Sequence, residues 1–291
     1  IREADVTLRA GNAAFLAVCV MCSGCMSWKS GWTVDVGKPR AGADPIALVA
    51  AAEALGPQAA TPAGLRADIR AWEAVLAADP ANERAMLRLA SDYTLLGAAY
   101  AESVGQSGEF WRKALQHAER AMALDEAFRA RVQAGAEVWE AVEVLGPDRA
   151  DALALWLDAV RFYFQFGQSG VVRMTNAKWP ARMERVLDRL EAMGVRPASV
   201  AVGRGYVAMA RSSGKDVAAA RERFDQAVAL SPDCIKPRWV RVKFLAAPAE
   251  LEELAIEDLQ WVLAQDPAGK GTPEWNAFFQ ADARRMLDAL R

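Results

Sequence analysis

The sequence predicts an all-α chain, built as a right-handed stack of helical hairpins with about twelve helices, several of them longer than the average of ~11–12 residues. Three observations predict it. Apolar residues recur at i, i+3, i+4 and i+7 in one stretch after another, the spacing of a single buried helix face. Pro62, Pro80, Pro147, Pro197, Pro232, Pro267 and Pro273 fall between those stretches, where a helix has ended or is about to begin. No segment alternates apolar and polar residues as a half-buried strand would.

Taken in chain order, the first well-marked helix carries Asp68, Trp72 and Val75 and ends before Pro80. Met86, Leu89, Ala90, Tyr93 and Gly97 then form one face of the next. Thr94–Gly108 adds length before a helix faced by Trp111, Ala114, Leu115, Ala118, Ala121 and Met122. The segment from Trp156 to Phe166 is helical and aromatic on more than one side. Val217, Ala220, Phe224, Ala227 and Val228 repeat the apolar stripe. Thr272-Pro273-Glu274 reads as a last helix start: a capping hydroxyl, a first-turn proline and a carboxylate at the positive end.

These helices share a frame. In the second helix of a tetratricopeptide unit a small residue is followed after three positions by an aromatic, then by a small residue and a proline. Ala220, Phe224, Ala227 and Pro232 match it in full. Trp72 and Pro80 keep it with Asp68 and Val75 at the small positions, and Ala114, Ala118 and Ala121 keep it with Glu126 in place of proline. Small residues let paired helices approach closely, and the aromatic fills the space between neighbours. A tetratricopeptide-like solenoid over residues 44–291 is the expected architecture.

Composition narrows the function. The formal charge is −2 with no block of like charge, which makes nucleic acid a poor partner. The one histidine, His117, lies mid-helix beside Gln116 and Glu119 and reads as a solvent-facing or hydrogen-bonded residue rather than a catalytic base. No Gly-x-Ser-x-Gly elbow, His-Glu-x-x-His pair or phosphate loop is present; Ser212-Ser213-Gly214-Lys215 reads as a hairpin turn. The chain reads as a binding protein, with no enzymatic activity, cofactor or metal expected.

The N-terminal segment carries a second message. Ala13–Cys25 is a short apolar run with Arg2 and Arg9 upstream, too short to cross a bilayer and of the length of a signal-peptide core. It closes on Ser23-Gly24-Cys25 and resembles a bacterial lipoprotein signal, with Cys22 where the usual motif has leucine. That resemblance implies removal of residues 1–24, lipidation of Cys25 and a Gly-rich tether over 25–43. Membrane attachment would then be through the lipid alone, on the periplasmic side of the envelope. Two rival readings stand beside it: a metal site on Cys19, Cys22 and Cys25, which lacks a fourth ligand nearby, and a plain N-terminal helix.

The aromatic helix is the candidate binding element. Trp156 and Tyr163 share one face, while Phe162 and Phe166 share another. Such a helix is either buried on all sides or lines an apolar cavity. In the second case Trp156, Tyr163 and Phe166, with Trp179, border the cavity, and Arg161 or Gln165 meets a ligand's polar end.

Several motifs in order resemble one family. They are Asp44-Pro45, Ala78-Asp79-Pro80-Ala81-Asn82 with Leu87 and Tyr93-Thr94, Leu155-Trp156 with the aromatic helix, Ala220-x3-Phe224-x2-Ala227, Leu259-x2-Val262-Leu263-x2-Asp266-Pro267, and Asn276-x3-Gln280-Ala281. Together they resemble the T-component lipoproteins of tripartite ATP-independent periplasmic (TRAP) transporters. Ser213-Gly214-Lys215-Asp216 departs from that family's Gly-Gly-Asp turn. The resemblance implies a periplasmic helical-repeat lipoprotein that partners a solute-binding subunit and binds or passes a small apolar or amphipathic ligand. The runner-up is an envelope-anchored tetratricopeptide scaffold for protein–protein interaction without small-molecule binding. Whether copies of the chain associate is left open.

Overall fold

The computed structural model describes residues 44–166, 178–210 and 215–290. Cys19, Cys22, Cys25, the segments 1–24 and 25–43, and Ser213-Gly214 lie outside the described residues. Among the described residues the chain is all helix, without strands, in thirteen α-helices. They are α1 (Pro45–Glu53), α2 (Pro62–Ala78), α3 (Glu83–Ala99), α4 (Val104–Met122), α5 (Glu126–Gln133), α6 (Val138–Ala141) and α7 (Ala150–Phe166). After these come α8 (Trp179–Ala192), α9 (Pro197–Ala210), α10 (Val217–Leu230), α11 (Ile235–Arg241), α12 (Glu252–Ala264) and α13 (Pro273–Ala289). A π-helical turn, Val242–Ala246, extends α11.

The punctuation read from the sequence sets the helix starts. Pro45, Pro62, Pro197 and Pro273 each occupy the first helical position, where the missing N–H has no intrahelical partner to lose. Side-chain oxygens of Asp44, Thr61, Asn82, Ser103, Asp125 and Asp216 accept from backbone N–H groups two or three residues on, satisfying donors that the first turn leaves free. Thr272 differs from expectation. Helix α13 does begin at Pro273, but the Thr272 side chain makes no capping bond. Glu274 is drawn away from the helix end to Arg88, 2.6 Å distant.

Neighbouring helices pack in pairs along the chain: α1 on α2, α2 on α3, α3 on α4, α8 on α9, α9 on α10, and α12 on α13. The repeat frame marks the buried side. Trp72, Met86, Leu89, Ala90, Tyr93, Ala114, Ala118, Ala121, Ala220, Phe224 and Ala227 are all buried. The extra length at Thr94–Gly108 is taken up by α3 and α4 themselves, which run on to Ala99 and start at Val104. Phe224 faces Gly205 on α9, where a Cβ would come within 2.9 Å of its ring. Glycine there gives the aromatic its place, as the small-residue positions of the frame require.

One packing relation goes beyond neighbours. Helix α13 lies against α11 and α12 and also returns to α3 near the other end of the described chain. Arg88 bonds Glu274, and the Trp275 indole N–H donates to Ser91 Oγ at 2.9 Å. Helix α7 runs through the middle, packed on α3, α4, α8 and α9. Its Phe162 ring lies 5.7 Å from Trp111, 6.3 Å from Trp239 and 6.3 Å from Trp275, tying both ends to one aromatic centre.

Candidate functional site

A cavity of about 520 Å³ opens where α13 meets α3, α7, α9 and α11. Five well-separated stretches of sequence build it, and the α13–α3 contact supplies two of its walls: Ser91 and Thr94 from α3, Trp275 and Phe279 from α13. Leu155 and Asp158 come from α7, Ala198 and Val202 from α9, and Ile235 and Lys236 from α11. The deep residues are apolar or already satisfied. Val202, Ile235 and Phe279 are buried, and the Asn276 side-chain amide donates to the carbonyls of Pro267 and Lys270 at 3.0 and 3.2 Å.

Charge collects at the mouth. Arg196, Lys236 and Lys270 have half-exposed to exposed side chains there, at 51, 41 and 67%. Each is paired, with Asp151, Asp158 and Asp233 respectively. Lys236 and then Arg161 hold the Asp158 carboxyl below its ordinary value, against the cost of its own burial. Two backbone positions on this rim are unusual: Arg196 has φ 55° and Gly271 φ 109°. An arginine in the left-handed region carries a backbone cost that the surrounding structure must offset.

The aromatic helix meets this cavity through residues other than its rings. Leu155 and Asp158, rather than Trp156 and Tyr163, face the cavity. At 100° per residue, Trp156 and Tyr163 lie roughly a quarter turn or more away from Leu155 and Asp158. Trp156 is fully buried, its N–H donating to Glu119 at 3.1 Å. Tyr163 is buried. Phe166 is half-buried, with its ring 6.2 Å from Phe162 and 5.9 Å from Phe244. Trp179 packs edge-on to Trp139 at 5.7 Å. Arg161 is committed to Asp158 at 2.9 Å and to the faces of Phe162 and Phe244. Gln165 is half-buried, and none of the six lines the cavity. The physical reason is packing: two aromatic faces on one helix find partners in α4, α8 and the π-helical turn.

Trp275 and Phe279 escaped the sequence reading as site residues. The signal for them was the aromatic run Trp275-Asn276-Ala277-Phe278-Phe279, whose spacing places aromatics on more than one face of α13, as in α7.

His117 is half-buried on α4. Its ring stacks on Tyr93 at 5.7 Å and its Nδ1 has no hydrogen-bond partner. Burial first, then Arg120 and Lys113, pull its pKa from 6.5 down to about 3. The folded state therefore binds this proton less well than the unfolded chain does. Stability from this group is lost as pH falls below 6.5 and continues to fall toward about 3. His117→Phe is expected to flatten that acid limb in urea titrations across the same window, keeping the stack on Tyr93.

Among the described residues, no group of His, Cys, Asp and Glu is arranged to hold a metal ion. No helix among them is long and apolar enough to cross a membrane. No protein-family model and no curated protein matches the sequence.

Proposed function

We propose that the chain is a helical-repeat binding protein whose cavity takes a small amphipathic molecule, working as an envelope-anchored accessory of a TRAP-type uptake system. The observation that carries the ligand half is the cavity itself. Its volume of about 520 Å³ falls within the ~300–1,000 Å³ of small-molecule sites, and an apolar interior with a charged mouth suits an apolar body with a polar end. The transporter half rests on the motif resemblance: a partner solute-binding subunit on the periplasmic side, with Cys25 as the lipid anchor.

Filling the cavity tests the first half. Ala198→Trp puts a large ring at the wall without touching the repeat frame. It is expected to weaken binding of a dansyl-labelled alkyl chain by tenfold or more, about 1.4 kcal/mol, with the helical circular dichroism unchanged. Equal binding by wild type and variant would refute the cavity as the site. The second half is tested by the gene neighbourhood, where a solute-binding subunit is expected, and by direct binding of the chain to that subunit. A gene neighbourhood with no such subunit and no permease would count against it. Mass spectrometry of the mature N-terminus reads the anchor, where an acylated Cys25 is expected and an intact 1–24 segment would contradict it.

A second reading, a scaffold for other envelope proteins, is favoured by one observation. The rings of Trp156 and Tyr163 are buried among neighbouring helices, as a purely structural aromatic helix requires.

A further inference from the structure

Arg88 stands among three carboxylates at the seam where α13 meets α3. Its Nε and Nη2 reach Asp68 Oδ2 at 2.9 and 2.7 Å, and its Nη1 reaches Glu274 Oε1 at 2.6 Å. Its Nε also lies 3.2 Å from Asp92 Oδ2. Asp68 and Asp92 are fully buried, Glu274 is 4% exposed, and the Arg88 side chain keeps 21%. Fully ionised, one cation would face three anions out of water, and carboxylates crowded in this way do not all ionise together. Neither oxygen of Asp92 accepts from any N–H or O–H donor. Asp68 Oδ2 and Asp92 Oδ2 both face the Nε of the same guanidinium.

The cluster adjoins the cavity. One turn from Arg88, Ser91 accepts from Trp275, and both residues line the cavity wall. Helix α13 is held on α11 by ring contacts, Trp239 lying 4.7 Å from Phe279 and 5.5 Å from Phe278. Against α3 its side-chain hydrogen bonds, among the described residues, are Arg88–Glu274 and Trp275–Ser91.

We propose that Arg88 and its three carboxylates form a clasp that holds the seam beside the cavity closed, and that the clasp opens when the buried Asp92 carboxyl gives up its proton. The regulatory role rests on reading the cavity as a ligand site; the clasp does not. The direction follows from the neighbours. Burial raises the Asp92 carboxyl most, Arg88 works against it, and Asp68 and Glu274 raise it further, leaving it well above the ordinary carboxylate range. The other charges facing α3 are engaged elsewhere. Arg84 pairs with Glu53 and Arg149 with Glu83, while Lys113 and His117 of α4 meet Tyr93. A carboxyl with a raised folded value stabilises the closed state at low pH, and that stabilisation is lost as pH rises through the raised value.

Amide hydrogen exchange on the intact chain, corrected for its intrinsic pH dependence, reads the seam without any ligand. In wild type, segments 88–99 and 274–282 are expected to lose protection as pH rises through the transition, by up to about tenfold per pH unit for one proton. Segment 219–228, on α10 where it packs against α9 and α11, serves as the reference and is expected to keep its protection. Asp92→Asn, which imitates the protonated acid, is expected to keep the seam protected throughout. The proposal is overturned by a wild-type seam indifferent to pH, by an Asp92→Asn profile equal to wild type, or by loss of protection in all three segments together. If the seam opens as expected while the dansyl-labelled alkyl chain does not bind, the clasp stands and the ligand reading falls.

Discussion

Phe224→Ala is expected to lower the free energy of unfolding by about 3–5 kcal/mol, as truncation of a large core aromatic does. Phe224 is fully buried: its relative accessibility is 0%, as are those of Ala220 and Ala227 beside it. The ring sits in the notch at Gly205, and Gly203 on the same helix makes a like notch for Leu187, where a Cβ would come within 2.3 Å of Cδ2. The close approach of helix backbone at Gly205 leaves little room for collapse around an alanine, which favours the upper part of that range. Urea unfolding with an unchanged slope measures it. A loss under about 1 kcal/mol would mean that the ring does not hold the α9–α10 pair together.

The second large effect is expected at Asp258. Its carboxylate is fully buried between two guanidinium groups, 2.8 Å from Arg238 and 2.7 Å from both Nε and Nη2 of Arg241. Asp258 draws Arg241 above its ordinary value, with Asp225 adding to the pull against burial. Asp258→Ala removes the shared anion and leaves a cation with 9% side-chain exposure next to another with 20%. Breaking such a pair costs about 3–5 kcal/mol, and the residual exposure of Arg238 sets the expectation near 3. Replacing Arg238, Arg241 and Asp258 together by apolar residues of similar size is expected to recover most of that loss. Failure to recover it would assign the network a role beyond charge balance.

Much of the fold was legible because periodicity and punctuation are local. Prolines and capping side chains are read within one turn, and the small-x3-aromatic-x2-small frame located the buried residues of α4 and α10. Asp68 was an odd letter in that frame, an acid where a small residue belongs. Its partner Arg88, twenty residues on, explains it, but only the folded chain adds Glu274 from a helix 186 positions away. The cavity was hidden for the same reason. Leu155 and Asp158 carry no signal until α9, α11 and α13 are brought against them. The aromatic helix drew attention by composition, whereas its rings are consumed by packing and its neighbour Asp158 meets the open space. The π-helical turn at Val242–Ala246 gave no warning either; it carries Phe244 to within 5.5 Å of Tyr206 and 5.9 Å of Phe166.

The most direct test of the binding account is photo-crosslinking with an amphiphile that carries a diazirine on its alkyl chain, followed by peptide mass spectrometry. The account predicts adducts on the peptides bearing Val202, Ile235, Trp275 and Phe279, and their loss in Ala198→Trp. Adducts confined to the Trp156–Trp179 aromatic pack, or the same adducts in wild type and Ala198→Trp, would contradict it.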